Sequence, residues 1–139
     1  MNRVIHFEIH ASDLEKSKKF YSEVFGWEMQ QMGSEFGNYV VIKNGPGMDD
    51  LDKLPQDPGI NGGMMARRGD APTSDAAVNA FVCIIGVDNI DAYIEKAQSA
   101  GGTVALDKMQ VPTVGWLVYF KDPDGNLFGM LQPEKPTQT

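Results

Sequence analysis

Apolar and polar residues alternate strictly in the first segment of the chain, residues 5–11, which reads IHFEIHA. An alternation of period two is typical of a strand with one buried face. The apolar side chains then share the face that should pack on a following helix. The opposite face is polar and carries His6, Glu8 and His10. We therefore predict a first strand with a polar open face.

A helical pattern follows this strand. Apolar residues recur at helical spacing over residues 14–25. Ser12 and Asp13 offer N-cap oxygens before the pattern, and Glu15 stands where a capping box needs an acidic residue. Gly26 stands where a helix commonly ends in a left-handed conformation. The sequence predicts a helix that begins at Leu14 and ends at Phe25.

Short strand patterns fill most of the remaining chain. In the first half they cover residues 27–32, 39–43 and 62–67. In the second half a strand over 80–87 precedes a helix over 90–100, for which Asp88 is the expected cap and Gly101 the expected stop. Three further strands are predicted over 103–111, 116–121 and 127–132. A dense turn signal at 122–126 precedes the last one.

The two halves share one plan. Asp13 and Gly26 are separated by the same thirteen positions as Asp88 and Gly101, and each half has a Gly-Met pair near its end. Agreement in order and spacing indicates an internal repeat. The predicted fold class is α+β, with two βαβββ modules in a single domain. Module 1 covers about 1–68, a linker covers 69–77, and module 2 covers about 78–134.

The repeated βαβββ unit resembles the glyoxalase/bleomycin-resistance/dioxygenase family, also called vicinal oxygen chelate proteins. The matching features are His6 seven residues before Asp13 and the final turn at 122–126. The resemblance covers nearly the whole chain. It implies curved mixed sheets around a cup-shaped cleft, a small-molecule ligand and a homodimer. It leaves the activity open, because the family contains isomerases, lyases, dioxygenases and proteins that only bind.

The resemblance also implies where a metal ion would bind. In metal-using members, the first and last strands of each half supply four ligands. Transferred by position, these sites are His6, Gly63, Phe81 and Gly129. Only His6 offers a ligand atom, since metal sites of this kind need imidazole or carboxylate groups. We expect a degenerate metal site and no cofactor, with space at the two glycines for a flat or bulky apolar ligand.

The polar face of the first strand offers a different chemistry. His6 and His10 would be ~13 Å apart along a strand and could not share an ion, whereas His6 and Glu8 are ~6.6 Å apart. A carboxylate beside an imidazole can tune it for proton transfer. We predict His6 and Glu8 as candidate catalytic residues. The alternative is that the three polar residues only line a wet ligand-binding groove.

In the second half, the same parity places Phe81, Cys83 and Ile85 on one face of the predicted first strand. This face would form an apolar wall opposite the polar strand, within the cleft that the resemblance implies. Cys83 has no cation near it in sequence, so we expect a buried, inert thiol. With the polar residues and the two glycines, Phe81 and Cys83 complete the predicted ligand-binding set.

Composition narrows the functional classes. The 139 residues carry a net charge of −7, which argues against a nucleic-acid partner. The longest apolar run is short of the ~20 residues that span a bilayer, and the first residues do not resemble a signal segment, so no membrane partner is expected. A single cysteine excludes an internal disulfide and favours the cytoplasm. The long loop over 44–59 could act as a lid.

Three functions remain open. The first is a metal-free small-molecule-binding protein. The second is a metal-independent enzyme that uses His6 and Glu8 for acid–base chemistry. The third is a metal-dependent lyase, isomerase or dioxygenase whose ligands lie at other positions. Binding is the interpretation that we favour.

Overall fold

A computed structural model of the protein describes residue 4 and residues 6–44, 59–73 and 81–134. The chain divides into two compact units, Met1–Ala71 and Pro72–Thr139. Most of the predicted lid over 44–59 lies outside the described residues, as does much of the predicted linker over 69–77. Within the described ranges, neither helix is long and apolar enough to cross a membrane.

The first unit contains one helix and a four-stranded mixed sheet. The elements are β1 (Phe7–Ala11), α1 (Leu14–Phe25), β2 (Glu28–Gln31), a 3-10 turn (Ser34–Phe36), β3 (Val40–Lys43) and β4 (Gly62–Ala66). Strands β1 and β4 pair in parallel, and the order across the sheet is β1-β4-β3-β2.

Helix α1 begins and ends where the sequence predicted. The Asp13 side chain accepts a hydrogen bond from the Lys16 N–H at 3.1 Å and caps the first turn. Gly26 ends the helix with φ 70°, a left-handed conformation that a glycine adopts without strain. The helix buries Phe20, Tyr21 and Val24, and β3 and β4 bury Val40, Ile42 and Met64. These apolar side chains form the core of the first unit and leave the other face of its sheet open.

The second unit repeats this order of elements. The elements are β5 (Ile84–Gly86), α2 (Ile90–Ser99), β6 (Thr103–Val111), β7 (Gly115–Lys121) and β8 (Leu127–Pro133). Strands β5 and β8 pair in parallel, and the sheet order is β5-β8-β7-β6. The chain is therefore α+β, as predicted.

Two predictions for the start of the second unit are wrong. Asn89, and not Asp88, caps α2, because its side chain accepts a hydrogen bond from the Ala92 N–H at 3.2 Å. The strand predicted over 80–87 is limited to Ile84–Gly86, where it pairs with β8. Both residues before the helix are good caps, so sequence alone did not distinguish them. The predicted face of this strand was positioned by its offset from the assumed cap, so it is displaced by one residue as well.

Candidate functional site

The open face of the first sheet carries the polar side chains that the sequence placed there. His6, Glu8 and His10 are all exposed, whereas Phe7 and Ile9, on the helix side, are half-buried. The Phe7 ring covers Gly62 and contacts the Trp27 ring, with 5.6 Å between the ring centroids. This packing fixes the direction of β1 and leaves its polar side chains directed away from α1.

Tyr39, just before β3, joins these polar residues into one hydrogen-bonded set. His6 Nε2 lies 3.0 Å from the Tyr39 hydroxyl, and that hydroxyl donates to Glu8 Oε2 at 3.3 Å. The other oxygen, Glu8 Oε1, lies 3.4 Å from His10 Nε2. His6, Tyr39, Glu8 and His10 therefore form a continuous line, which we call the polar row. The two histidines, too far apart to share an ion, are linked through Tyr39 and Glu8.

The Tyr39 phenol keeps its proton more firmly than a free tyrosine. Partial burial raises its pKa most, followed by the charge of Glu8 and by the hydrogen bond to that carboxylate. All three causes favour the neutral phenol. Tyr39 therefore acts in the polar row as a neutral hydroxyl near neutral pH.

The Tyr39 side chain also occupies the space beside Gly63. A Cβ atom added at Gly63 would overlap the Tyr39 hydroxyl and ring. The expectation that this glycine leaves open space is wrong, because the tyrosine fills it. On the other face of the strand, a Cβ at Gly62 would lie 2.6 Å from Phe7 Cζ. Two adjacent glycines thus let an aromatic ring lie close to each face of β4.

The open face of the second sheet is apolar. Its register places Leu106, Tyr119, Gly129 and Ile84 side by side across the four strands. A Cβ at Gly129 would lie 3.2 Å from Ile84 Cγ1 and 3.3 Å from Tyr119 Cε1, so these neighbours cover the glycine. Ile84 and Leu106 remain 48% and 51% exposed. This row therefore presents a mainly apolar surface, in which the Tyr119 hydroxyl is the polar group.

The residues predicted to form the apolar wall are not the ones in this row. Ile84 shares the open face with Gly129, so its neighbour Ile85, which pairs with buried Met130, faces the other way. Phe81 lies before β5 and is 92% exposed. The predicted face of Phe81, Cys83 and Ile85 is therefore displaced by one residue from the observed one.

The Cys83 thiol is exposed, which corrects the expectation of a buried residue. Partial desolvation of the side chain nevertheless raises its pKa. A raised pKa means less thiolate at neutral pH, and the thiolate is the nucleophile. The residue is therefore accessible, and its raised pKa disfavours the reactive thiolate form.

The residues at the positions where the resemblance implies metal ligands include few groups that could bind an ion. Glu8 pairs with Gly63 in the first unit, and Ile84 pairs with Gly129 in the second. His6 is two residues before Glu8, so its counterpart is the residue two before Ile84, which is Val82 and not Phe81. Valine offers no ligand atom, and neither do the two glycines. His6 Nε2 is already bonded to Tyr39. Across the ranges with described structure, no group of three or more His, Cys, Asp or Glu residues could hold an ion.

Sequence reasoning missed Tyr39. Tyr39 lies two residues before Val41, so strand alternation places both side chains on the open face. This alternation was only a weak signal. Its contact with Gly63 depends on the register of β3 against β4, in which Val41 pairs with Gly63. A long stretch of chain separates these two strands, and no local pattern specifies that register.

Comparison with protein families gives a match over almost the whole chain. The model described as the Glyoxalase/Bleomycin resistance protein/Dioxygenase superfamily matches residues 3–130. The protein CFP32 of Mycobacterium bovis is 30% identical over 115 residues, which are 82% of this chain. Those residues are only 38% of CFP32, so the chain spans less than half of that relative.

Two solved structures illustrate the fold. TnmS3, an antibiotic binding protein from Streptomyces sp. CB03234, has a TM-score of 0.66 at 22% identity, over 96% of this chain and 98% of TnmS3. A mutant of the fosfomycin resistance protein FosX from Listeria monocytogenes, complexed with Mn(II) and a dihydroxypropylphosphonic acid, has a TM-score of 0.68 at 17% identity. That match covers 96% of this chain and 92% of FosX.

Proposed function

The chain belongs to the Glyoxalase/Bleomycin resistance protein/Dioxygenase superfamily, and on that premise we propose that it binds a small molecule without a metal ion. Proteins of this fold include both an antibiotic binding protein and an Mn(II)-containing resistance protein. The residues of this chain favour binding without a metal ion. Its metal site is degenerate in our proposal, and the open face of the first sheet provides the polar contacts for the ligand.

The relation between Tyr39, His6 and Gly63 carries this proposal. The Tyr39 hydroxyl is hydrogen-bonded to His6, the one side chain with a ligand atom at a family metal position. The same side chain occupies the space that a ligand residue at position 63 would need. Metal binding through His6 Nε2 would require the loss of the Tyr39 hydrogen bond, and binding through either ring nitrogen would require two or more further ligands, since protein zinc sites use three or four.

The proposed ligand contacts fall into two groups. The polar group is the polar row, since its members are exposed or half-buried and offer both donors and acceptors. The apolar group is proposed for the second unit taken by itself, on the open face around Gly129, where Ile84 and Tyr119 add to the predicted set. Phe81 and Cys83 are exposed and stay in the proposal as apolar contacts. Gly63 contributes indirectly, because it leaves room for the Tyr39 side chain.

Calorimetric titration with MnCl2 and with ZnCl2 tests the metal-free part of this proposal. Protein purified without chelators should contain far less than one equivalent of metal, and both titrations should show no stoichiometric binding. The matched control is the His6→Gln variant, which removes the imidazole and keeps a polar side chain. One equivalent of bound metal that is lost in His6→Gln would contradict the proposal.

Spectra of the protein recorded during titration with catechol test the ligand-binding part. Catechol is a flat, neutral probe that can both donate and accept hydrogen bonds. We expect NMR shifts of His6, His10 and Tyr39 signals that saturate with catechol concentration. Absence of any saturable shift on this face would contradict a ligand site there.

A metal-independent enzyme is the second candidate, and one observation favours it. The Tyr39 hydroxyl touches both His6 and Glu8, the two candidate catalytic residues, so it could pass a proton between them. Isomerases and lyases commonly remove a proton next to a carbonyl group. Dihydroxyacetone in D2O is a suitable probe, because loss of its C–H signals reports such exchange. Catalysed exchange that disappears in His6→Gln would favour the enzyme over the binding protein.

The state of assembly and the location are also proposals. The resemblance to the family favours a homodimer, and the single cysteine favours a reducing compartment such as the cytoplasm. Light scattering coupled to size exclusion measures the mass directly. A mass of twice the 15.3 kDa chain is expected, and a mass of one chain at micromolar concentration would contradict the dimer.

A further inference from the structure

One assignment of donors and acceptors fits all three hydrogen bonds of the polar row. An ionised carboxylate only accepts, so Tyr39 donates its single proton to Glu8 Oε2 and His10 donates from Nε2 to Glu8 Oε1. The Tyr39 oxygen can then only accept from His6, which must carry a proton on Nε2. The opposite arrangement would leave the Tyr39 and Glu8 oxygens 3.3 Å apart with no proton between them.

This direction determines what His6 presents to a ligand. A neutral imidazole carries one N–H, so a proton on Nε2 leaves Nδ1 as a hydrogen-bond acceptor. Within the described residues, His6 has no hydrogen bond other than the one to Tyr39. Glu8, with a side chain 44% exposed, adds a negative charge to the same surface. The His6 end of the row therefore offers an acceptor beside an anion.

Arg67 is the cation associated with the other end of the row. Its guanidinium donates to the main-chain oxygen of His10 at 2.8 Å, which places the positive charge beside the last residues of β1. The charge in the middle of the row is the negative one of Glu8. The net charge of −7 over the whole chain also disfavours an anionic ligand.

From this geometry, and on the basis of the proposed function, we propose that the polar row selects a neutral or cationic ligand that donates an N–H or O–H to His6 Nδ1. An amine or a hydroxyl group fits this arrangement. A carboxylate or phosphonate group does not, because it would place a second anion beside Glu8 and face the acceptor Nδ1 without a proton. The polar row thus disfavours anionic ligand groups, which a bound metal cation would attract.

Long-range 1H–15N spectra of the imidazole rings test the donor directions without any ligand. The chain has two histidines, so a His10→Gln variant assigns both sets of signals. At a pH where His6 is neutral, we expect its Nε2 to show the shift of a protonated nitrogen and its Nδ1 that of an unprotonated one. A proton on Nδ1 of His6 would overturn the inference and leave the proposed function intact.

Three probes of the same size then test the ligand class. Benzylamine is cationic, benzyl alcohol is a neutral donor, and benzoate is an anion without a donor. We expect benzylamine and benzyl alcohol to shift the His6 ring signals. Benzoate should bind about fivefold more weakly than benzyl alcohol, the effect of two unit charges roughly 4 Å apart in water, and more weakly still than benzylamine. In Glu8→Gln, which keeps the size of the side chain and removes its charge, this preference should shrink.

The outcomes separate the inference from the proposed function. Benzoate binding equal to or tighter than that of benzylamine would overturn the inference, while confirming that this face binds ligands. Failure of all three probes and of catechol to shift any signal of the row would overturn the proposed function. In that second case the imidazole spectra still decide the donor directions.

Discussion

The Tyr39 side chain lies against Gly63, in the space that any larger residue at position 63 would occupy. Val41, two residues after Tyr39, pairs with Gly63 across the sheet, so the tyrosine reaches diagonally over β4. From there its hydroxyl contacts both His6 and Glu8. The glycine is therefore a requirement of the polar row, because it makes room for the residue that links it.

A Gly63→Ala substitution should destabilise the protein. The added methyl overlaps the Tyr39 ring and hydroxyl, and such overpacking costs about 1–3 kcal/mol. Urea denaturation measures the change in the free energy of unfolding. The matched control is Gly86→Ala, a strand glycine of the second unit whose Cβ would meet no atom within 4 Å; its effect should stay within about 0.5 kcal/mol.

The double variant Tyr39→Ala/Gly63→Ala identifies the cause of that loss. Removal of the ring also removes the overlap, so the double variant should be little less stable than Tyr39→Ala alone. If Gly63→Ala costs the same with and without the tyrosine ring, the contact is not the reason for the glycine.

Alkaline pH should lower the free energy of unfolding through ionisation of Tyr39. Its pKa in the folded state is raised above the ordinary value of 10.0, first by desolvation and then by Glu8. Stability from this group is therefore fully present below pH 10 and is lost as the pH rises through the folded-state pKa. Denaturation of the wild type and of Tyr39→Phe across this window measures the effect, and the wild type should lose more stability. An equal loss in both would contradict the raised pKa.

Substitutions at Asn89 and Asp88 test which of these adjacent residues caps α2. Asn89→Ala removes the acceptor for the Ala92 N–H and should cost about 1 kcal/mol. Asp88→Ala is the control and should change the free energy of unfolding by less than about 0.5 kcal/mol. A larger loss at Asp88 would restore the cap that the sequence suggested.

The Cys83 thiol should react slowly for an exposed cysteine. Desolvation raises its pKa, so a smaller fraction is thiolate at mildly alkaline pH than in glutathione. Reaction with a chromogenic disulfide at that pH measures the rate, and the rate should rise as the pH rises. A rate equal to or above that of glutathione under the same conditions would contradict this account of the thiol.

Local signals allowed the first unit to be predicted closely. Helix α1 has a cap on one side and a glycine on the other, so both ends were correct. The faces of β1 followed from strict alternation, which places His6, Glu8 and His10 together. The α+β class followed from the order of these patterns, while the internal duplication and the domain limits stay predictions.

Features that depend on the register of the strands could not be predicted from local sequence patterns. Asp88 and Asn89 are equally good caps, and the choice between them decides whether Phe81 or Val82 is the counterpart of His6. Since side chains alternate, a shift of one residue moves a whole set to the other face. Tyr39 was missed for a related reason, because the pairing of β3 with β4 brings distant segments together.

The most direct test of the central claim is the effect of Mn2+ on the NMR signals of the His6 ring. A paramagnetic ion bound at His6 would broaden these signals selectively at one equivalent or less. If Tyr39 rather than a metal is the partner of His6, one equivalent of Mn2+ should leave them no broader than signals from the exposed side of α1, which packs on the other face of the same sheet. Selective loss of the His6 signals, restored by adding a chelator, would contradict the account.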